Sequence, residues 1–200
     1  MLKGNNNLLD GDQNKVNGND NSLVGDKNNL LGNENIVSGD LNNIAGNQNT
    51  ALGNENNIFG NKNFLNGDLN TINGGMNKIN GNKNEITGDL NTIFKDSNKV
   101  AGSQNFVDGN ENKLIGDQNE LTGSENQVKG NVNKISGDKN LVSGSVNSIN
   151  GSKNAVGGNN NTVKGEENMV IGDQNGIMDG SRNQINGSKN LIKFGDNNQI

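Results

Sequence analysis

The side chains of this 200-residue chain that could carry out chemistry are aspartates at a fixed place in a short motif. Oxygen-rich turns of this kind are what Ca²⁺ prefers. Calcium-binding β-rolls, however, use a glycine-rich nonapeptide, Gly-Gly-x-Gly-x-Asp, which this sequence lacks, and Asn or Ser often replaces the aspartate. We therefore predict no metal site. In the regular repeats, the motif Gly-Asp-x-Asn has its aspartate at Asp12, Asp26, Asp40, Asp68, Asp89, Asp117, Asp138 and Asp173.

Composition excludes several other kinds of site. The chain has no His and no Cys, which removes the usual general base and the commonest zinc ligands. Paired carboxylates need a cleft to act in hydrolysis, and a regular repeat offers a smooth surface. The 17 basic and 22 acidic residues are interspersed, with a net charge of −5, so no basic face is available for nucleic acid. We predict no enzyme activity, no catalytic residues, no cofactor, no nucleic acid partner and no membrane insertion.

A seven-residue repeat accounts for nearly the whole sequence. Numbered from its glycine, position 1 is Gly at every step from Gly4 to Gly172 except Lys95. Position 4 is Asn in all 28 copies, and position 6 is Ile, Val or Leu in every copy except Ala51. A coiled coil would need two apolar positions per heptad, and each glycine costs a helix about 1 kcal/mol. Helices are therefore excluded.

Short strands fit the pattern x-Asn-x-Φ-x, where Φ is aliphatic, because positions 4 and 6 of an extended chain share one face. Glycine at position 1 provides the corner between strands. Position 2, which is mostly Asp, Asn or Ser, is expected to close the turn through hydrogen bonds to its own backbone. Positions 3, 5 and 7 vary and should point outward. One aliphatic residue per repeat is buried only if coils stack, so we predict an all-β fold, a single parallel β-solenoid.

The predicted interior follows from these positions. A buried Asn without partners costs roughly 1–3 kcal/mol, so the asparagines must bond to the same amide one coil away or to the corner backbone. The candidate ladder residues are Asn14, Asn28, Asn49, Asn70, Asn98, Asn119, Asn140 and Asn161. The candidate core residues are Val16, Ile44, Ile72, Ile93, Leu114, Ile135 and Val163, and the candidate corners are Gly11, Gly39, Gly67, Gly109 and Gly137.

The sequence is compatible with either 14 or 21 residues per coil. Alternation of Asn5, Asp12, Asn19 and Asp26 at position 2 favours 14, whereas the spacing of Thr50, Thr71 and Thr92 favours 21. The register slips by one residue before Gly180 and again before Gly195. We predict one repeat domain over residues 1–200, with regular repeats over 4–178 and an irregular end over 179–200.

The motif Gly-x-x-Asn-x-Φ-x resembles the heads of YadA-like trimeric autotransporter adhesins, whose repeats read Gly-x-x-Ser/Ala-x-Ala/Val-x. The resemblance covers residues 4–200 at three positions in seven. It implies a left-handed parallel β-roll in which two repeats make one coil, packed as a homotrimer. Asn and larger aliphatics stand here where the family has smaller residues, and this keeps the 21-residue coil open.

Positions 1, 4 and 6 are nearly the same in every repeat, whereas positions 3, 5 and 7 vary freely. This pattern indicates that the sequence maintains a shape rather than a chemical site. We expect a structural or adhesive protein, a rod or filament subunit outside the cell or on its surface, although no signal peptide is visible. Its partners would be further copies of itself, as a homotrimer or end-to-end filament, or a host-surface or matrix ligand. Outward apolar side chains would form the interface; they are Val24, Leu31, Leu52, Phe59, Phe64, Phe94, Phe106 and Ile115. The alternatives are an ice-binding or other flat-face solenoid, and an intracellular or virion scaffold.

Overall fold

The computed structural model describes residues 1–200 and consists of short strands joined by tight corners. It has no helix of the length and apolarity needed to cross a membrane. The chain forms two compact units, Met1–Lys99 and Val100–Ile200.

The first unit contains β1 (Leu2–Lys3), β2 (Leu8–Asp10), β3 (Lys15–Asn17), β4 (Ser22–Val24), β5 (Asn29–Leu31), β6 (Ile36–Ser38), β7 (Asn43–Ala45), β8 (Thr50–Leu52), β9 (Asn57–Phe59), β10 (Phe64–Asn66), β11 (Thr71–Asn73), β12 (Lys78–Asn80), β13 (Glu85–Thr87) and β14 (Thr92–Phe94). Strand β15 (Lys99–Ala101) begins on the last residue of that unit.

The second unit contains β16 (Phe106–Asp108), β17 (Lys113–Ile115), β18 (Glu120–Thr122), β19 (Gln127–Lys129), β20 (Lys134–Ser136), β21 (Leu141–Ser143), β22 (Ser148–Asn150), β23 (Ala155–Gly157), β24 (Thr162–Lys164), β25 (Met169–Ile171), β26 (Gly176–Ile177), β27 (Gln184–Asn186) and β28 (Leu191–Ile192).

Within each unit, consecutive strands alternate between two parallel sheets, one of odd-numbered and one of even-numbered strands. In the first unit, Ile72 of β11 pairs with Ile58 of β9 and Ile86 of β13. In the second, Val128 pairs with Leu114 and Val142. Each paired residue therefore lies 14 positions from its neighbour, so the 14-residue coil is confirmed and the 21-residue coil is wrong. The architecture is a parallel β-solenoid, as predicted.

The buried side chains between the two sheets are those of positions 4 and 6. Every position-6 residue from Val16 to Ile192 and every position-4 Asn from Asn14 to Asn183 is buried. Full burial of one such aliphatic side chain contributes about 1.5–3 kcal/mol. The predicted core residues Val16, Ile44, Ile72, Ile93, Leu114, Ile135 and Val163 are all at most 2% exposed.

The strands are shorter than predicted, and the corners are longer. Each regular strand covers only positions 5 to 7, and positions 1 to 3 form the corner. Position 3, which we expected to point outward from a strand, has a left-handed backbone conformation in every copy, such as Gln48 with φ of 59°. In that conformation the Gln48 amide donates to the Asn33 carbonyl of the preceding coil, at 2.9 Å. This coil-to-coil bond offsets the conformational cost of about 1–2 kcal/mol.

Each of the two register slips lengthens its coil by a single residue. Met169 of β25 pairs with Gln184 of β27 across the first slip, and Gln184 forms a bridge with Gln199 across the second. The extra residue lies between strand and corner, where the Gly180 amide donates to the Lys164 carbonyl at a long 3.3 Å. The inner asparagines still stack, because the Asn183 amide donates to Asn168 Oδ1 at 3.0 Å.

We expect Lys95→Gly to stabilise the protein. Lys95 is the only residue other than Gly at position 1 between Gly4 and Gly172, and its φ of 72° is in the left-handed region. This conformation costs a residue with a Cβ about 1–2 kcal/mol, partly offset because Gly loses more entropy on folding. Thermal unfolding should show a Tm increase of a few °C.

The matched control is Lys78→Gly at an exposed strand position, which should lower stability by roughly 0.5–1 kcal/mol. Equal losses of stability in the two variants would contradict the assignment of strain to Lys95.

Candidate functional site

Two kinds of polar ladder hold the coils in register, and the first is formed by the inner asparagines. Asn119 shows the pattern: its Nδ2 donates to Asn105 Oδ1 at 3.1 Å and to the Gly130 carbonyl at 2.9 Å. Its Oδ1 accepts from the backbone amide of Asn133 at 2.9 Å and from Asn133 Nδ2 at 3.0 Å. Asn119 therefore bonds both to its neighbours in the ladder and to a corner carbonyl, and the predicted asparagine ladder is present.

The second ladder is formed by position 2 at the corners. The Asp26 backbone amide donates to Asp40 Oδ1 at 2.7 Å, and the Asp12 amide donates to Asp26 Oδ1 at 2.6 Å. Ser does the same where it occurs, since the Asn131 amide donates to Ser145 Oγ at 3.1 Å. Our expectation that these side chains bond their own turn was wrong, because they bond the preceding coil.

The corner glycines are required by stacking as well as by conformation. A Cβ on Gly11, Gly39, Gly67, Gly109 or Gly137 would overlap the carbonyl oxygen of the glycine one coil further on. These five residues also have φ between 118° and 159°. Close backbone approach is thus what fixes glycine at position 1.

The aspartates singled out by the sequence serve these corners. They lie at position 2 of different coils, and no group of three or more acidic side chains could hold a metal ion. Exposed ion pairs also join neighbouring coils, for example Lys99 Nζ to Glu85 Oε2 at 2.7 Å and Lys134 Nζ to Glu120 Oε2 at 2.9 Å.

In each unit the outward positions 5 and 7 line the outer surfaces of the two sheets, and charge is unevenly distributed on them. Between Lys15 and Lys78, every position 5 and 7 is uncharged, from Asn17 to Asn73. The charged residues of this stretch are all in the corners. Both faces of these coils of the first unit therefore present only amide, hydroxyl and apolar groups to solvent.

On the odd-numbered strands this uncharged face is also ordered. Asn29 Nδ2 donates to Asn43 Oδ1 at 2.9 Å, and Asn43 Nδ2 donates to Asn57 Oδ1 at 2.9 Å. Leu31, Ala45 and Phe59 follow at position 7 of the same strands. We call this surface, residues Asn29, Leu31, Asn43, Ala45, Asn57 and Phe59, the amide face. It places a hydrogen-bonded row of amides beside an apolar row.

The predicted apolar interface residues are outward but do not form one surface. Leu31, Phe59 and Ile115 are on odd-numbered strands, and Val24, Leu52, Phe64, Phe94 and Phe106 are on even-numbered ones. The threonine row expected from a 21-residue spacing does not exist, because Thr71 is on β11 whereas Thr50 and Thr92 are on β8 and β14.

In the second unit, an apolar surface on odd-numbered strands surrounds small residues. Leu141, Met169 and Ile171 are 55%, 41% and 52% exposed. They flank Ala155 and Gly157, which form the floor of a groove of about 210 Å³. The sequence alone did not predict this surface, because β21, β23 and β25 are neighbours only if each coil has 14 residues.

Comparison with known proteins agrees with this geometry. A family model described as a grass antifreeze beta roll matches residues 1–81 and 76–151. No curated protein sequence matches the chain significantly. The family match supports the β-roll implied by our sequence comparison but not a YadA-like adhesin head. Since the matched residues make up more than half of the sequence, the chain belongs to the grass antifreeze beta roll family.

Proposed function

We propose that this protein binds ice through the amide face of its first unit. The observation that carries the proposal is that no outward position 5 or 7 from Asn17 to Asn73 is charged. Within this stretch, side-chain hydrogen bonds join Asn29, Asn43 and Asn57. The description of the family as antifreeze supports the same function.

Ice binding depends on the rigidity and on the hydration of the protein surface. Ice is a rigid lattice, so a surface that binds it must hold its own groups at fixed positions rather than adapt. Parallel strands set a repeat of about 4.8 Å, and the amide-to-amide bonds restrict the side chains between coils. A charged side chain would resist the loss of its water shell, whereas Leu31, Ala45 and Phe59 lose water readily.

We expect Ala45→Lys to abolish most of the activity. The change places a charge at the centre of the amide face while leaving the buried positions 4 and 6 unchanged. Thermal hysteresis and inhibition of ice recrystallisation should both fall several-fold. Circular dichroism and Tm should stay close to those of the original protein, since exposed substitutions usually change stability by less than about 0.5 kcal/mol.

The matched control is Ala101→Lys, the same change at position 7 of another odd-numbered strand, where Lys99 is already present. It should keep the original activity. Equal activity of the Ala45 variant and the original protein would rule out the amide face, and the absence of thermal hysteresis in the unmodified protein would rule out ice binding.

Self-association is a second candidate, favoured by the exposed surface of Leu141, Met169 and Ile171. Apolar surfaces of this kind commonly mark interaction sites. Here the protein would be a non-enzymatic structural or adhesive component, outside the cell or on its surface. Analytical ultracentrifugation of the original protein and of Met169→Lys tests it: the original should form oligomers and the variant should not. A monomeric original protein would exclude this function.

A further inference from the structure

We propose that the corner at Gly75 is a binding site for a small primary carboxamide that carries an apolar substituent. The site lies in the first unit, at a corner, and shares Phe59 with the amide face, but it does not depend on ice binding. At this corner one side chain of the position-2 ladder is missing, and hydrogen-bonding and apolar groups surround the gap that it leaves.

The ladder at this edge is interrupted at one coil. Going along it, the amides of Asn19, Asn33 and Asn47 donate to the side-chain oxygens of Asn33, Asn47 and Asn61 at 2.7–2.8 Å. The next residue is Gly75, which has no side chain, so no oxygen of the protein accepts the Asn61 amide in this way. The ladder resumes where the Gly75 amide donates to Asp89 Oδ1 at 2.6 Å.

Equivalent corners elsewhere in the protein indicate which chemical group would bind in the gap at Gly75. Where Asn precedes Asp in a position-2 ladder, the Asn Oδ1 accepts the preceding backbone amide and its Nδ2 donates to the Asp. Asn54 accepts from the Asp40 amide at 2.8 Å and donates to Asp68 Oδ1 at 3.3 Å. Asn159 makes the same two contacts, to the Ser145 amide at 2.8 Å and to Asp173 Oδ1 at 3.3 Å. A carboxamide at Gly75 would bridge Asn61 and Asp89 in this manner.

The gap is open and has room for more than a carboxamide. A Cβ on Gly75 would lie 3.0 Å from the Asn61 carbonyl oxygen and 3.8 Å from both the Asn61 amide nitrogen and Asp89 Oδ1, so both hydrogen-bonding partners border the space in front of Gly75. The surrounding cavity of about 600 Å³ is also lined by Phe59 and Met76. These two side chains are 42% and 51% exposed, and an aromatic or aliphatic substituent would cover them.

Lys62 also lines the surrounding cavity, but the group that enters the gap itself faces the carboxylate of Asp89, which favours a neutral ligand there. A carboxylate of the same shape as the carboxamide could accept from Asn61 but has no N–H to donate, and its charge would be repelled by Asp89. Benzamide and benzoate are therefore suitable probes, since they differ mainly in the group that enters the gap.

The experiment is a titration of the ¹⁵N-labelled protein with benzamide and with benzoate, observed by NMR. Benzamide should shift the Asn61 and Gly75 amide signals in a saturable way, and benzoate should bind at least ten-fold more weakly. Gly75→Asn supplies the missing side chain, so it should raise Tm by about 2–4 °C and weaken benzamide binding at least ten-fold. Asp89→Asn should remove the discrimination against benzoate.

Three results would overturn the proposal: benzamide shifts that do not saturate, unchanged benzamide binding by Gly75→Asn, or equal binding of the two probes by the original protein. Ala101→Lys, on a strand that contributes no residue to this site, provides the control, and it should bind benzamide as the original protein does.

Discussion

Gly46→Ala should unfold the first unit or lower its stability by at least about 4 kcal/mol, a loss large enough to indicate a specific structural conflict. Gly46 has φ of 141°, which side-chain-bearing residues adopt only with strain. Its new Cβ would overlap the Gly60 carbonyl oxygen, which also accepts from Asn49 Nδ2. Relief requires the coils to separate, and separation breaks the backbone bonds between them. Circular dichroism during heating would measure the loss.

Gly157→Ala is the control for this change. Gly157 lies at position 7 of β23, and a Cβ there would meet nothing closer than the Val170 carbonyl oxygen at 4.0 Å. It should leave the stability within about 0.5 kcal/mol of the original. Similar losses in both variants would mean that glycine content, rather than close approach at the corner, limits stability.

Asn119→Leu should destabilise the second unit by roughly 3–6 kcal/mol, because three buried or half-buried polar groups would each lose a hydrogen bond, at about 1–3 kcal/mol where no partner remains. The change leaves the Gly130 carbonyl without its donor at 2.9 Å. It also removes the acceptor of the Asn133 backbone amide and of Asn133 Nδ2. The gain from a buried leucine does not offset these losses. Chemical denaturation would measure the change.

Gln127→Leu is the matched control, because Gln127 is exposed at position 5 of β19. It should change stability little. If Asn119→Leu were equally mild, the ladder amides would contribute little to holding the coils together, and the explanation for the repeated Asn would be wrong.

The seven-residue period made much of this fold predictable. Gly, Asn and an aliphatic residue at positions 1, 4 and 6 indicate a corner and one inward face, and Asn14 and Val16 are buried as that pattern requires. The period does not decide whether seven residues form a half or a third of a coil. Thr50, Thr71 and Thr92 favoured the wrong answer because outward positions carry little information about stacking.

The backbone conformation of position 3 and the hydrogen-bond partners of position 2 could not be predicted from the sequence. Val132 has φ of 58°, although β-branched residues rarely adopt this conformation, and the varied residues at position 3 give no sign of it. Asp26 looks like an ordinary turn residue, yet its oxygen accepts from the coil before it. In both cases the partner lies on the neighbouring coil, two repeats away along the chain, and a local motif does not reveal it.

The sequence by itself determined the parallel β-solenoid, its buried Asn and aliphatic positions and its glycine corners, because these depend on strand alternation and on residue types that recur in each repeat. Only the tertiary structure decided which strands are neighbours, and therefore that Asn29, Asn43 and Asn57 form one ordered face and that Gly75 interrupts a ladder. The physical reason is that these features arise from contacts between coils, and such contacts are set by the number of residues per turn.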